Sequence, residues 1–307
     1  MIGPAEIRAA HTRINPHLRQ TPSLQIEPGA LCDGTVGLKL ELFQHTGSFK
    51  VRGALNTLLA NPTSDAGVVA VSGGNHGAAV AFAATKLGAR STIFVPQLAG
   101  PVKLDRMRGF GAEVIVSDLD FITLTGQFRE FAKETGALAV HPFNDPLVMA
   151  GQGTVAQEIE QQLPELDTLF VSVGGGGLIG GVAAWYGNRI KIIAVESEGT
   201  PTFATVLKDG PDTEITVSGI AASSLGSPTI GSLSYDILNR FDVPSIVVPD
   251  HAIIEAGRRL WDCARIICEP GAATALAPLT SGVYVPKKDE RVGVLICGGN
   301  ASPDWFL

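Results

Sequence analysis

Several things are missing from this chain of 307 residues, and each absence narrows what it does. No basic cluster breaks the balance of 23 Lys and Arg against 30 Asp and Glu. At a net charge of −7 the chain therefore offers no docking surface to nucleic acid or to an anionic membrane. No uninterrupted apolar run reaches the length needed to span a bilayer. Met1 to Gln20 carries charges and no apolar centre, which reads as no secretory leader. The four cysteines (Cys32, Cys263, Cys268, Cys297) lack metal-ligand spacing. With nothing pointing to secretion, a reduced, cytoplasmic protein is expected. There is no Pro/Gly/Ser-rich linker and no low-complexity tract.

What remains is a globular composition, 45% hydrophobic with 36 glycines, long enough for well-buried cores and rich in tight turns. Short apolar runs read as strands: Leu38–Leu42, Val68–Val71, Thr92–Val95, Glu113–Val116, Leu169–Val173, Ile190–Val195, Ser245–Val248 and Val292–Ile296. Helical patterns cover Pro4–Ile14, Ala54–Ala60, Ala78–Ala84, Phe121–Thr135, Val155–Leu163 and His251–Ile266. Strands separated by helices predict an α/β protein with a mostly parallel sheet covered on both faces.

Lys50, in Gly47-Ser48-Phe49-Lys50-Val51-Arg52-Gly53-Ala54, falls between a strand and a helix start. There the helix dipole and partial burial both disfavour an ammonium, which suits an imine-forming amine. Two glycine-rich turns each follow an apolar strand and open a helix: Ser72-Gly73-Gly74-Asn75-His76-Gly77 and Gly174-Gly175-Gly176-Gly177-Leu178. Strand–glycines–helix lets backbone N–H groups and a helix dipole meet an anion. Two anion cradles and a lysine amine suit a ligand bearing a phosphate, a carboxylate and a carbonyl. Pyridoxal phosphate joined to an amino acid has all three. A competing reading takes Gly175-Gly176-Gly177-Leu178-Ile179-Gly180 as a dinucleotide fingerprint, with Glu196 on the ribose. It makes the protein a binding module and leaves Lys50, the Ser72–Gly77 turn and Cys297 without roles.

Those motifs, with Ala150-Gly151-Gln152-Gly153-Thr154 and Cys297-Gly298-Gly299-Asn300, resemble the pyridoxal-phosphate enzymes of the tryptophan synthase β-subunit fold, in their serine/threonine dehydratase and serine racemase branch. The resemblance covers nearly the whole chain. It implies two domains, each an open mostly parallel sheet flanked by helices: a larger one from residues 1–67 and 146–307, and a smaller, mobile one from 68–145. It implies that the cofactor is carried on Lys50 beside Phe49, with its phosphate at Gly174, Gly175, Gly176, Gly177 and Leu178. Asn75 is then expected at the cofactor's phenolic oxygen and Cys297 at its pyridine nitrogen. Ser72, Gly73, Asn75 and His76 are expected around the substrate carboxylate, although Asn75 and His76 also read as plain turn residues.

A neutral thiol at Cys297 makes the pyridine ring a weaker electron sink than a carboxylate partner would, which favours β-elimination over transamination. The resemblance further implies a divalent cation, magnesium or calcium, on Glu196 and the carbonyl of Thr200. The third expected ligand, a carboxylate, is Thr202 here, and a hydroxyl is a poor ligand for a hard cation. Glu269 reads either as a neighbour of the ring or as a residue favouring the helix that begins at Pro270. The implied partner is a small amino-acid substrate bound by a homodimer. The implied activity is dehydration of a β-hydroxy amino acid, with a racemase, or more distantly a β-replacement synthase, as the alternative. Family racemases carry a serine directly after the position of Ser72; this chain has Gly73 there.

Overall fold

The computed structural model describes residues 2–119 and 121–306, apart from the side chains of Leu98, Phe121 and Ile122. Its strands are β1 (Ser23–Ile26), β2 (Val36–Leu40), β3 (Val68–Val71), β4 (Ser91–Pro96), β5 (Glu113–Ser117), β6 (Leu138–Ala139), β7 (Thr168–Ser172), β8 (Lys191–Ser197), β9 (Ser245–Val248) and β10 (Val292–Ile296). They form two sheets, one ordered β1-β2-β10-β7-β8-β9 and one ordered β5-β4-β3-β6. All pairings are parallel except β1 on β2. In β2, β3, β7 and β10 every residue is buried, as strands covered on both faces require.

The smaller sheet draws all its strands from Val68 to Ala139. Its apolar cluster also takes in Ile14, Val51, Ala54, Leu55 and Val148, so the Lys50–Ala60 helix packs into both halves of the molecule. Crossing it is the Pro146–Gln162 helix, which begins well before the periodic stretch at Val155. Its early turns contain Gly151 and Gly153, poor helix formers that obscure the pattern in sequence. A Cβ on Gly151 would lie 2.6 Å from the carbonyl oxygen of Arg52, so the close crossing excludes any larger residue.

The expected strand Leu38–Leu42 is shorter: β2 ends at Leu40, and Glu41–Phe43 is a 3₁₀ turn. The departure has a cause in Arg52. Its guanidinium, fully buried, donates from Nε and Nη2 to the two carboxylate oxygens of Glu41, each at 2.7 Å. Nη1 donates to Glu158 Oε1 at 2.7 Å and to Thr154 Oγ1 at 3.1 Å. Lys39, also buried, donates to Glu158 Oε2, to the carbonyl of Thr21 and to Gln162 Oε1. Two cations thus meet two carboxylates inside the protein, each with further polar partners, as a buried network must.

Burial pulls the Glu158 carboxyl upward, but Arg52 and then Lys39 outweigh it and hold the group below the usual carboxylate range. A depressed folded pKa contributes stability above the unfolded value, roughly 4.3, and loses it as pH falls through the folded value. Stability should therefore decline in acid. Arg52→Met strands the buried Glu41 without a cation, leaves Glu158 with Lys39 alone, and should cost about 3–5 kcal/mol, the range for breaking a buried pair from one side. Denaturant titration of wild type and variant checks this. A loss below about 1 kcal/mol would place the anchoring of this helix in its apolar contacts instead.

Candidate active site

A cleft of about 400 Å³ opens where the C-terminal ends of β3, β7 and β10 converge, between the two sheets. Ligands of open parallel sheets bind at such strand ends. Lys50, Phe49, the Ser72–His76 turn, Gly174 to Leu178 and Cys297 all line it. The sequence-predicted residues are brought together, with the exception of the Glu196 and Thr200 pair.

Lys50 is the first residue of its helix. The preceding loop is stitched to the end of β10: Phe49 N donates to Cys297 O at 3.1 Å, and Gly299 N donates to Gly47 O at 2.9 Å. These bonds set the amine beside the thiol. Lys50 Nζ donates to the carbonyl of Pro142 at 2.8 Å and lies 5.2 Å from the Phe49 ring centre. Burial lowers the amine to about 8, with Cys297 and Glu269 pulling the other way. A useful fraction of free amine is therefore available near neutrality, unlike an ordinary lysine. Burial, reinforced by Glu269 and Cys268, pushes the Cys297 thiol well above its ordinary value, so it stays neutral.

Gly177 begins the next helix, which runs to Tyr186. Among the described residues, the amides of Gly175 to Leu178 donate to no protein acceptor. They are free donors at a helix N-terminus, where the dipole also favours an anion. The buried hydroxyls of Ser172 and Ser234 likewise have no partner among the described residues. An anion the size of a phosphate satisfies this donor set. The glycines have a second cause that the sequence did not disclose. Gly176 has φ +88°, and a Cβ there would lie 2.6 Å from Ser234 Cβ. Phe143 and Leu225 crowd the other three glycines in the same way. Close packing by the protein, as well as access for a ligand, excludes side chains from this turn.

The other turn is braced internally. Ser72 Oγ accepts from Gly74 N at 3.1 Å. His76 is buried, with Nε2 2.9 Å from Val140 O. Burial, then the charge of Lys50, lowers its pKa to about 3, so the neutral ring donates from Nε2 and holds the loop. His141, lowered to about 4 chiefly by burial, accepts from the amides of Phe143 and Asn144 and shapes the segment whose Pro142 carbonyl meets Lys50. Asn75 donates from Nδ2 to both Glu269 oxygens, at 2.8 and 3.0 Å, and accepts from Asn300 Nδ2 at 2.6 Å. Glu269 precedes the Pro270–Thr274 helix and also lines the cleft. Burial raises its carboxyl, against Asn75 and the Asn300 amide. Sequence reasoning missed Pro142, Phe143, Lys103 and the Ala222–Ser227 segment, none of which carries a local motif.

Glu196 lies away from the cleft, at the end of β8. Its Oε1 accepts from Phe203 N at 2.6 Å, and its Oε2 accepts from Ala204 N at 2.8 Å and Ser245 Oγ at 2.6 Å. The carboxylate caps the Thr202–Asp209 helix, and Thr202 Oγ1 donates to Ser227 O at 2.9 Å. One carboxylate already spent on three protein donors, with no second one at Thr202, does not fit a hard cation. Nor does Glu196 face the glycine turn, as a ribose-binding acid would.

A family described as "Pyridoxal-phosphate dependent enzyme" matches residues 14–298. Serine racemase of rice (Oryza sativa subsp. indica) is 34% identical over 96% of this chain and 89% of its own length. A catabolic L-threonine dehydratase of Staphylococcus aureus is 36% identical over 96% and 88%. The structure of maize serine racemase superposes with a TM-score of 0.92 at 32% identity, covering 99% of this chain and 95% of that one. An amine tuned by burial, a free-amide cradle and a neutral thiol in one cleft are what such a cofactor requires, and the chain belongs to the pyridoxal-phosphate dependent enzymes.

Proposed function

We propose that this chain is an ammonia-lyase that removes water from a β-hydroxy amino acid, with L-serine and L-threonine as default substrates, and releases a 2-oxo acid and ammonia. The observation that carries this reading is the junction of Lys50 and Cys297, a base of lowered pKa fixed beside a thiol that stays neutral. Bound in the cleft, pyridoxal phosphate supplies the sink for the electron pair of the Cα–H bond. The free amides from Gly175 to Leu178 would hold its phosphate, and Phe49 and Asn75 line the cleft that would receive its ring. The amides of Gly73, Asn75 and His76, which have no acceptor among the described residues, would receive the substrate carboxylate, and the neutral His76 keeps that turn in shape.

With the cofactor bound, Lys50 would remove the α-proton as general base. The Cβ–O bond then breaks, and the hydroxyl leaves with a proton as water. The enamine released takes up one water and yields the 2-oxo acid and ammonia, so atoms balance with no net hydration. A neutral Cys297 would offer the pyridine nitrogen no anionic partner, which would favour loss of the β-substituent over transamination. Residues 68–145 form the smaller unit, which contributes β3, the Ser72 turn, Lys103, Pro142 and Phe143 to the site. A cytoplasmic homodimer is the working form in this reading. No step is assigned to a divalent cation.

A racemase is the second reading, favoured by the likeness to the plant serine racemases. Racemisation needs an acid on the face opposite Lys50, and Gly73 has no side chain to serve. The wild-type holoenzyme should therefore turn L-serine mainly into pyruvate, with D-serine slow or undetectable by chiral chromatography. D-serine appearing as fast as pyruvate would overturn the lyase assignment. In Gly73→Ser the added Cβ meets Ala99 Cβ at 3.0 Å, so racemisation should rise while overall activity falls.

Gly176→Asp and Gly176→Ala share the positive-φ strain and the contact with Ser234, but only the first adds a charge. Cofactor affinity should be lower in the aspartate variant by about tenfold or more, through like-charge repulsion near the phosphate. Titration of cofactor-free protein measures both. Equal affinities would mean that the phosphate is held elsewhere.

A further inference from the structure

Beside the cleft lies a second chamber of about 650 Å³, and the two share Gly74, Asn75, Ala99, Lys103, Ser223 and Glu269 along their common wall. The lining of the second chamber carries two cations against one carboxylate. Lys103 and Arg106 stand one turn apart on the Pro101–Gly109 helix and both line it. Neither makes an ion pair among the described residues. The helix's own acid, Asp105, pairs on the exposed side with Arg108. Arg106 is half-buried and anchored by one bond, Nη2 to Thr46 O at 2.6 Å, which fixes its plane and leaves its other N–H groups free. Lys103 makes no hydrogen bond among the described residues.

The one carboxylate lining the chamber is Glu269, which is buried and already takes both Asn75 bonds. Helix electrostatics do not explain the pair. A cation in the last turn, such as Arg106, suits the helix dipole, but Lys103 sits in the first turn, where a cation is disfavoured. A serine or threonine side chain would leave both cations with only the charge of Glu269 to share, a carboxylate already bonded to Asn75. An anion on the substrate would give them charge-assisted hydrogen bonds, bidentate at the guanidinium.

We infer that Lys103 and Arg106 select a β-substituted amino acid whose side chain bears an anion, a carboxylate or a phosphate, over serine and threonine. The inference rests on the elimination reading for its chemistry and on these two residues for its specificity. For 3-hydroxyaspartate the same bookkeeping applies: the α-proton and the β-hydroxyl leave as water, one water returns, and the products are a dicarboxylic 2-oxo acid and ammonia.

The test compares kcat/KM of the holoenzyme for L-serine, L-threo-3-hydroxyaspartate and O-phospho-L-serine. It also compares binding of succinate with binding of butyrate, which has the same carbon count and one carboxylate fewer. The expected result is a kcat/KM for 3-hydroxyaspartate about tenfold or more above that for L-serine, and succinate binding tighter than butyrate by a similar factor. In Arg106→Met and Lys103→Met both ratios should fall about tenfold or more, and Arg106→Lys should restore part of the loss. A higher value for O-phospho-L-serine than for 3-hydroxyaspartate assigns the two cations to a phosphate. Preference for L-serine over both anionic substrates overturns the inference, as does equal binding of succinate and butyrate or an equal loss for all substrates in Arg106→Met. An enzyme that turns over none of the three refutes the elimination reading instead, and the succinate-to-butyrate ratio still decides the anion site.

Discussion

The buried guanidinium of Arg52 fixes the position on which the rest of the site depends. Two residues after Lys50, it joins the end of β2 through Glu41 to the Pro146–Gln162 helix through Glu158. An arginine suits this post because its planar fork serves two carboxylates at once and never gives up its charge. Burying it costs solvation, and the network is tolerated because every member has a partner. Its product is directional. With the helix bolted down on one side and packed against the smaller sheet on the other, its first residue can point only into the cleft.

From that fixed start, chemistry follows from how chain ends meet. Parallel strands bring their C-terminal ends to one edge, and here β3, β7 and β10 deliver a turn, a cradle and a thiol to the same cleft. The bonds between residues 47–49 and 297–299 make lysine and thiol neighbours although they lie far apart in sequence. Burial then sets their protonation, lowering the amine and raising the thiol. Removal from water is the largest cause of both shifts, and both favour the neutral forms that the proposed chemistry uses.

Much of this was legible in the sequence. The strands Val68–Val71 and Val292–Ile296 stand where their apolar runs placed them, because fully buried parallel strands leave uninterrupted signals, and the half-buried edge strand Ser245–Val248 also matches its run. The site was legible where glycines and Lys50 share short motifs. It was not where function arises from contact between distant segments. Glu41 reads as a strand residue until Arg52 turns it inward. Glu196 has the spacing of a ribose or cation ligand, and only the fold discloses that it caps a helix. The Gly151–Gly153 stretch hides a helix because its glycines serve a close crossing. Lys103 and Arg106 belong to a helix with weak periodicity, and nothing local marks them as lining a chamber.

The central claim is that Lys50, and no other lysine, carries the cofactor in this cleft. Borohydride reduction of the holoenzyme, followed by digestion and peptide mass mapping, tests it most directly. The predicted result is a stable cofactor adduct confined to the peptide that contains Lys50 and lost in Lys50→Ala. An adduct on Lys103 or any other lysine, or none in protein that retains its cofactor, would contradict the account.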